Sequence, residues 1–199
     1  MASYLGYYPG AASNREEKFH RAINSYLSQS HKDKELIVVS DGCEITSKII
    51  KEDYPEIKLR EIERKGLFSG RPRNEGIKFA NGDIICYLDS DDLIGSNHLQ
   101  AIADQFGGND FVYYNDYVVT PEGIKYRDVQ LKRASIGTSS WAHKRDLGVK
   151  WRDGYNHDWH TISEHINRYD RGRMGTRVKY TKIKDCQYFV HHIPQLIDL

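Results

Sequence analysis

Two short, unbroken apolar runs, residues 35–40 (ELIVVS) and 84–88 (IICYL), each pass directly into acidic residues: Asp41 after the first, and Asp89, Asp91 and Asp92 after the second. A short apolar run bounded by turn formers reads as a strand buried on both faces, and such strands belong to parallel sheets covered by helices. Around them the period changes. Phe19, Ala22, Ile23, Tyr26 and Leu27 recur at helical spacing behind Asn14, a cap candidate, with Glu17 at the capping-box position. Ile45, Ile49 and Ile50 predict a short helix, residues 57–62 alternate like a strand, and residues 73–80 resume a helix behind Pro72. The alternation predicts an α/β fold, in which ligands bind at the carboxyl ends of the strands. An opening strand is expected at residues 4–8, before a Pro9-Gly10 turn.

After residue 95 the pattern becomes mixed. Residues 96–106 predict a capped helix, residues 111–119 and 125–129 read as strands around a Pro121-Glu122-Gly123 turn, residues 158–169 form another helix, and residues 187–190 a last strand. With 199 residues and 39% hydrophobic content the chain can bury one core, so a single domain over 1–199 is expected. A net charge of +1 gives no global field to attract nucleic acid. Cys43, Cys86 and Cys186 are odd in number and widely spaced, which excludes a disulfide framework or zinc motif and fits a reduced, cytoplasmic setting. No run approaches the ~18 apolar residues of a membrane span, and no signal-peptide pattern opens the chain. The basic stretch Arg168, Arg171, Arg173, Arg177, Lys179, Lys182 and Lys184 reads either as a lid over a diphosphate, a peripheral contact with anionic lipid, or a solvated charge run.

Three carboxylates within four residues raise the cost of ionising one another, so something must offset the repulsion. A divalent cation does so; Mg²⁺ or Mn²⁺ takes one or two protein carboxylates and fills its remaining positions with phosphate oxygens and water. In an extended segment Asp89 and Asp91 would point to one side and Ser90 to the other. A plain helix-capping loop is the alternative.

Four ordered motifs carry a family resemblance: Tyr26-Leu27-Ser28-Gln29-Ser30; Glu35-Leu36-Ile37-Val38-Val39-Ser40-Asp41-Gly42; Arg73-Asn74-Glu75-Gly76 running to Gly82-Asp83; and Leu88-Asp89-Ser90-Asp91-Asp92. In these the chain resembles glycosyltransferase family 2. The resemblance implies a GT-A fold, a Rossmann-like three-layer sandwich with a mostly parallel central mixed sheet, its donor-binding half at about 1–95 and its acceptor-side half at about 96–199. It implies a nucleotide-sugar donor, with UDP favoured because Asp41 can accept from a uracil imide. By position Pro9 and Asp41 hold the base, Asp89 contacts the ribose within the Asp89-Ser90-Asp91 motif, and Asp91, with Asp89, binds Mn²⁺ or Mg²⁺.

Arg71, in preference to Arg73, is expected to pair with Asp89 or reach the donor. Residues 138–145 resemble the acceptor-side segment. Gly154-Tyr155-Asn156-His157-Asp158-Trp159 resembles the motif that supplies the base of an inverting transfer; Asp158 fills that role, or His157 where the usual Glu-Asp pair is altered. His191 or His192 is a further candidate ligand for the metal. The acceptor is a glycan or other hydroxyl compound, and further domains of a longer polypeptide are expected to help shape its site. Two other readings compete: a nucleotidyltransferase of similar fold, and a nucleotide-sugar-binding module without catalysis.

Overall fold

The computed structural model describes residues 1–8, 11–65, 68–154, 157–170 and 178–191, and of residues 157 and 167–170 only the backbone. The first half runs β1 (Ala2–Ser3), α1 (Arg15–Leu27), β2 (Ile37–Asp41), α2 (Glu44–Asp53), β3 (Lys58–Ile62), α3 (Gly70–Phe79) and β4 (Ile84–Cys86). The second runs β5 (Leu93–Ile94), α4 (His98–Phe106), β6 (Phe111–Tyr114), β7 (Asp116–Thr120), β8 (Gly123–Arg127), a 3-10 turn (Thr138–Ser140), β9 (Trp141–Lys144), α5 (His157–Asp170), β10 (Tyr180–Ile183) and β11 (Tyr188–Val190).

The strands form three hydrogen-bonded groups among the described residues. β3, β2 and β1 are all parallel. A mixed group runs β10-β6-β9-β4, with β10 parallel to β6 and β9 antiparallel to both its neighbours. The third, β5-β11-β7-β8, pairs β11 parallel to β7. A cavity of about 690 Å³ lies between β2 and β4; Ile37, Val39, Ile85 and Cys86 line it, and it reaches Arg73 and Asp89.

The helical spacing of α1 buries four of its five apolar positions, Phe19, Ala22 and Ile23 fully and Tyr26 nearly so, while Leu27 at the last turn is 40% exposed; each large buried side chain contributes roughly 1.5–3 kcal/mol of apolar burial. They join Val38, Ile50, Val112 and Tyr188 in one core, while Tyr87, Phe111, Trp141, Trp151 and Ile162 form a second under α5. Asn14 sits at the N-cap position of α1, but its side chain makes no capping bond.

Three expectations shift. The opening strand covers Ala2–Ser3 rather than residues 4–8, because Met1 to Ser3 are the residues in register with β2: the terminal ammonium donates to the Ile37 carbonyl at 2.8 Å and Val39 N–H to the Met1 carbonyl at 2.8 Å. The expected strand over 111–119 is two strands in different groups, divided at Asn115, whose Oδ1 accepts the Val129 N–H at 2.8 Å. One residue of the basic stretch belongs to a sheet: Lys182 lies in β10 and its ammonium reaches Asp128 at 2.6 Å. Arg171, Arg173 and Arg177 lie outside the described residues.

Two buried imidazoles make the fold acid-sensitive. His98 packs edge-on against Tyr114 and Tyr188, and its Nδ1 accepts the Gln187 N–H at 3.1 Å. His143 donates from Nδ1 to the Lys144 carbonyl at 2.7 Å and accepts the Tyr87 hydroxyl at Nε2, 2.6 Å away. Burial lowers their pKa values from 6.5 to about 3 and about 4 respectively. Between pH 6.5 and those values the unfolded chain takes up protons that the folded one refuses, so stability falls as pH falls through that window. At about 1.4 kcal/mol per pH unit and histidine, the loss at pH 5 is roughly 4 kcal/mol. Urea midpoints at pH 7.5 and 5.0 check this; equal midpoints would mean that the rings titrate as they do in water.

Candidate active site

The acidic loop after β4 is a turn rather than an extended segment: Asp92 N–H bonds back to the Asp89 carbonyl at 3.2 Å. The expectation that Asp89 and Asp91 project together from an extended strand is therefore replaced by a loop in which each carboxylate meets a different environment. Asp92 is 1% exposed and acts inward; its Oδ2 accepts the Tyr188 hydroxyl at 2.9 Å and its Oδ1 the His191 N–H at 2.7 Å. Tyr188 also accepts the Asp89 N–H at 3.0 Å, so β11 and the loop are locked together. Asp89 takes Arg73 Nη2 on Oδ1 at 2.9 Å.

Asp91 and Ser90 are partly exposed, and the Asp91 charge acts on Lys18, Arg21 and His191. Arg21 donates to the Asp91 carbonyl at 3.4 Å, and Lys18, 1% exposed, donates to the His191 carbonyl at 3.1 Å. The His191 ring is fully buried, and neither of its nitrogens has a hydrogen-bond partner among the described residues. Burial first, then the Arg21 and Lys18 charges, lower its pKa to about 4, so the ring is neutral near pH 7. Among the described residues no three His, Cys, Asp or Glu side chains converge on one point. His192 lies outside the described residues.

Asp41 ends β2 at 9% exposure, and its buried Oδ1 has no hydrogen-bond donor among the described residues. Burial raises its pKa, opposed by Arg64 and Arg71. Arg71 Nη1 stands 3.9 Å from it and donates to the Glu63 carbonyl. The two arginines thus divide the work opposite to the sequence expectation: Arg73 holds Asp89, and Arg71 faces Asp41. Helical spacing decides this, since Arg73 is 9% exposed on the face of α3 turned to the sheet. Pro9 lies outside the described residues.

Farther along the chain, Thr138 Oγ1 donates to Asp158 Oδ1 at 2.5 Å in the first turn of α5. The side chain of His157 lies outside the description. Behind Thr138 is a cluster that sequence reading did not single out. Asp116, wholly buried at the start of β7, accepts Arg127 Nε at 2.6 Å, Arg127 Nη2, Ser140 Oγ at 2.7 Å and Ser139 Oγ at 3.3 Å. A buried carboxylate needs such partners. The one available signal was Asp116 within an otherwise apolar strand.

Comparison with known proteins bears on the family and the fold. Residues 11–189 match the profile of Glycosyl transferase family 2. The poly(ribitol-phosphate) beta-N-acetylglucosaminyltransferase TarP of Staphylococcus aureus is 33% identical over 98 residues, 47% of this chain and 29% of TarP. The chain spans between 13% and 30% of the length of the curated relatives it matches. Residues 1–349 of S. aureus TarS superpose with a TM-score of 0.68 at 18% identity, over 96% of this chain and 58% of that one; TarS has also been solved with UDP and with UDP-GlcNAc. GalNAc-T7, solved with UDP, GalNAc and Mn²⁺, superposes with a TM-score of 0.62 at 13% identity, over 88% and 41%. The fold is therefore that of the GT-A glycosyltransferases. With the profile spanning nearly the whole chain, the chain belongs to glycosyl transferase family 2.

Proposed function

We propose that the chain transfers a sugar from a UDP-sugar to an acceptor hydroxyl with inversion, using a divalent metal at Asp91 and Asp158 as general base. The observation that carries it is the buried, neutral His191 ring, whose two nitrogens have no hydrogen-bond partner among the described residues, in the field of Asp91. An imidazole buried without a partner is costly, and a divalent ion held there would satisfy one of its nitrogens. Asp91 and His191 fit Mn²⁺ or Mg²⁺ as a partial set, the remaining positions falling to diphosphate oxygens and water. When bound, the metal neutralises negative charge on the departing UDP. Asp89, oriented by Arg73, faces the ribose. The unpartnered Asp41 Oδ1 suits the uracil imide N–H, with Arg71 beside it.

Asp158 removes the acceptor hydroxyl proton as that oxygen attacks the anomeric carbon. The new glycosidic bond forms as the bond from that carbon to the phosphate oxygen breaks, and the electron pair leaves on UDP. Thr138 holds the carboxylate, and through Ser139 and Ser140 the same turn is anchored on Asp116. UDP and UDP-GlcNAc in TarS and Mn²⁺ in GalNAc-T7 support the donor class and the metal. The acceptor is a glycan or another compound with a free hydroxyl, and no nucleic acid is expected to bind. Among the described residues no helix is long and apolar enough to cross a membrane; the chain is proposed to work in the cytoplasm.

Calorimetric titration of metal-stripped protein with UDP, with and without Mn²⁺, tests this reading. Binding is expected to tighten at least about tenfold with the metal, ~1.4 kcal/mol of coupling. No UDP binding in either condition would overturn the donor assignment.

A further inference from the structure

The side chain of Asn74 pairs with the main chain of a segment 77 positions away in both directions. Its Nδ2 donates to the Trp151 carbonyl at 2.8 Å, and its Oδ1 accepts the Trp151 N–H at 2.8 Å. A carboxamide here reproduces the hydrogen-bonding of a peptide unit, and Asn has both the donor and the acceptor at the required reach; Asp keeps the shape but has only acceptors when ionised.

The bond pair is the centre of a wider seam. One residue earlier, Arg73 holds Asp89 and lies over the Trp151 indole at 4.9 Å. Trp151 Nε1 in turn donates to Tyr87 Oη at 2.9 Å, two residues before Asp89. At the start of α3, Arg71 N–H donates to Asp153 Oδ1 at 3.1 Å, an N-terminal cap supplied from a distant loop. Gly70 lets the two backbones meet: a Cβ there would stand 2.4 Å from the Arg152 carbonyl oxygen. Arg152 then pairs with Glu164 of α5 at 3.0 Å. The first turn of α3, which orients the donor-side carboxylate, is thus joined to the strap that leads into α5 and Asp158.

We infer that Asn74 is a positioning residue, fixing the base-bearing start of α5 against the donor site. This rests on the reading of Asp158 as the base. The physical reason is geometric: general-base help requires the carboxylate within hydrogen-bond reach of the attacking oxygen, and a misplacement of about 1 Å costs on the order of 10²-fold in rate. Asn74 directs both of its side-chain hydrogen bonds to the strap. Its loss therefore acts on kcat and spares nucleotide affinity.

Asn74→Ala and Asn74→Asp separate these effects. UDP affinity with Mn²⁺, measured by calorimetry, is expected to stay within about twofold of wild type, while kcat for UDP release from UDP-GlcNAc falls at least about tenfold, ~1.4 kcal/mol. Hydrogen–deuterium exchange of peptides covering residues 151–161 is expected to quicken in both variants, with exchange over α1 and β2 unchanged. UDP affinity falling in proportion to kcat would overturn the inference, because Asn74 would then serve the donor site; so would unchanged exchange over 151–161. Asp158→Asn is assayed alongside. If that variant releases UDP at the wild-type rate, the base assignment fails on its own, and exchange at the strap still decides whether Asn74 holds it.

Discussion

Asp91→Ala is expected to lower UDP release from a UDP-sugar by at least about 10²-fold and to erase the effect of Mn²⁺ on UDP affinity, leaving the fold intact. Three carboxylates that look alike in the sequence meet different surroundings in the structure. Asp92 is a structural acceptor, both of its oxygens taken by β11. Asp89 is committed on Oδ1 to Arg73. Asp91 is partly exposed, and its charge acts on a neutral His191. In the proposed reading a hard divalent ion shared with a diphosphate is anchored at Asp91, and linkage requires that whatever tightens metal binding in the presence of UDP tightens UDP binding in the presence of metal. The check is UDP titration of the variant with and without Mn²⁺, together with UDP release. A variant that keeps a tenfold metal effect would move the metal to another carboxylate, Asp89 first.

The strand–helix alternation of the first half was legible because strands and amphipathic helices both write themselves into the local pattern: 35–40 marks the buried parallel β2, Phe19, Ala22 and Ile23 mark the buried face of α1, and 84–88 marks β4, which differs from the expectation of a strand buried on both faces in pairing antiparallel with β9 and in leaving Ile84 exposed. What local pattern does not carry is partnership. An apolar stretch across residues 111–119 says nothing of the change of sheet at Asn115, and β9 hides in Trp141-Ala142-His143-Lys144, where the histidine that breaks the apolar run is itself buried through its bonds to Tyr87 and Lys144. The site shows the same division. The acidic cluster and Asp41 stood out because charge beside a buried strand is expensive. The exchange of roles between Arg71 and Arg73, and the anchoring of Thr138 through Asp116, depend on contacts between segments that lie far apart in sequence, and no spacing within one segment encodes those.

The sharpest test of the catalytic half is Asp158→Asn. Its kcat is expected to fall by roughly 10²–10⁴-fold, the usual worth of a positioned general base, with UDP affinity in Mn²⁺ unchanged. Asparagine is the better probe than alanine because the oxygen that accepts Thr138 Oγ1 survives the change, as does a polar side chain in the first turn of α5, where Asn and Asp are both tolerated near the cap. The substitution therefore removes the proton acceptor while keeping the hydrogen bond that orients the group. Steady-state UDP release and calorimetry on the same preparation read the two quantities. His157→Ala supplies the contrast, since the neighbouring imidazole is the other candidate base within the motif. If Asp158→Asn stays active while His157→Ala loses its rate, the proton goes to the imidazole, and Thr138 then holds a carboxylate that only caps the helix. If both lose rate with UDP affinity intact, the two neighbours act on the acceptor together, and the carboxylate fixed by Thr138 keeps the larger share.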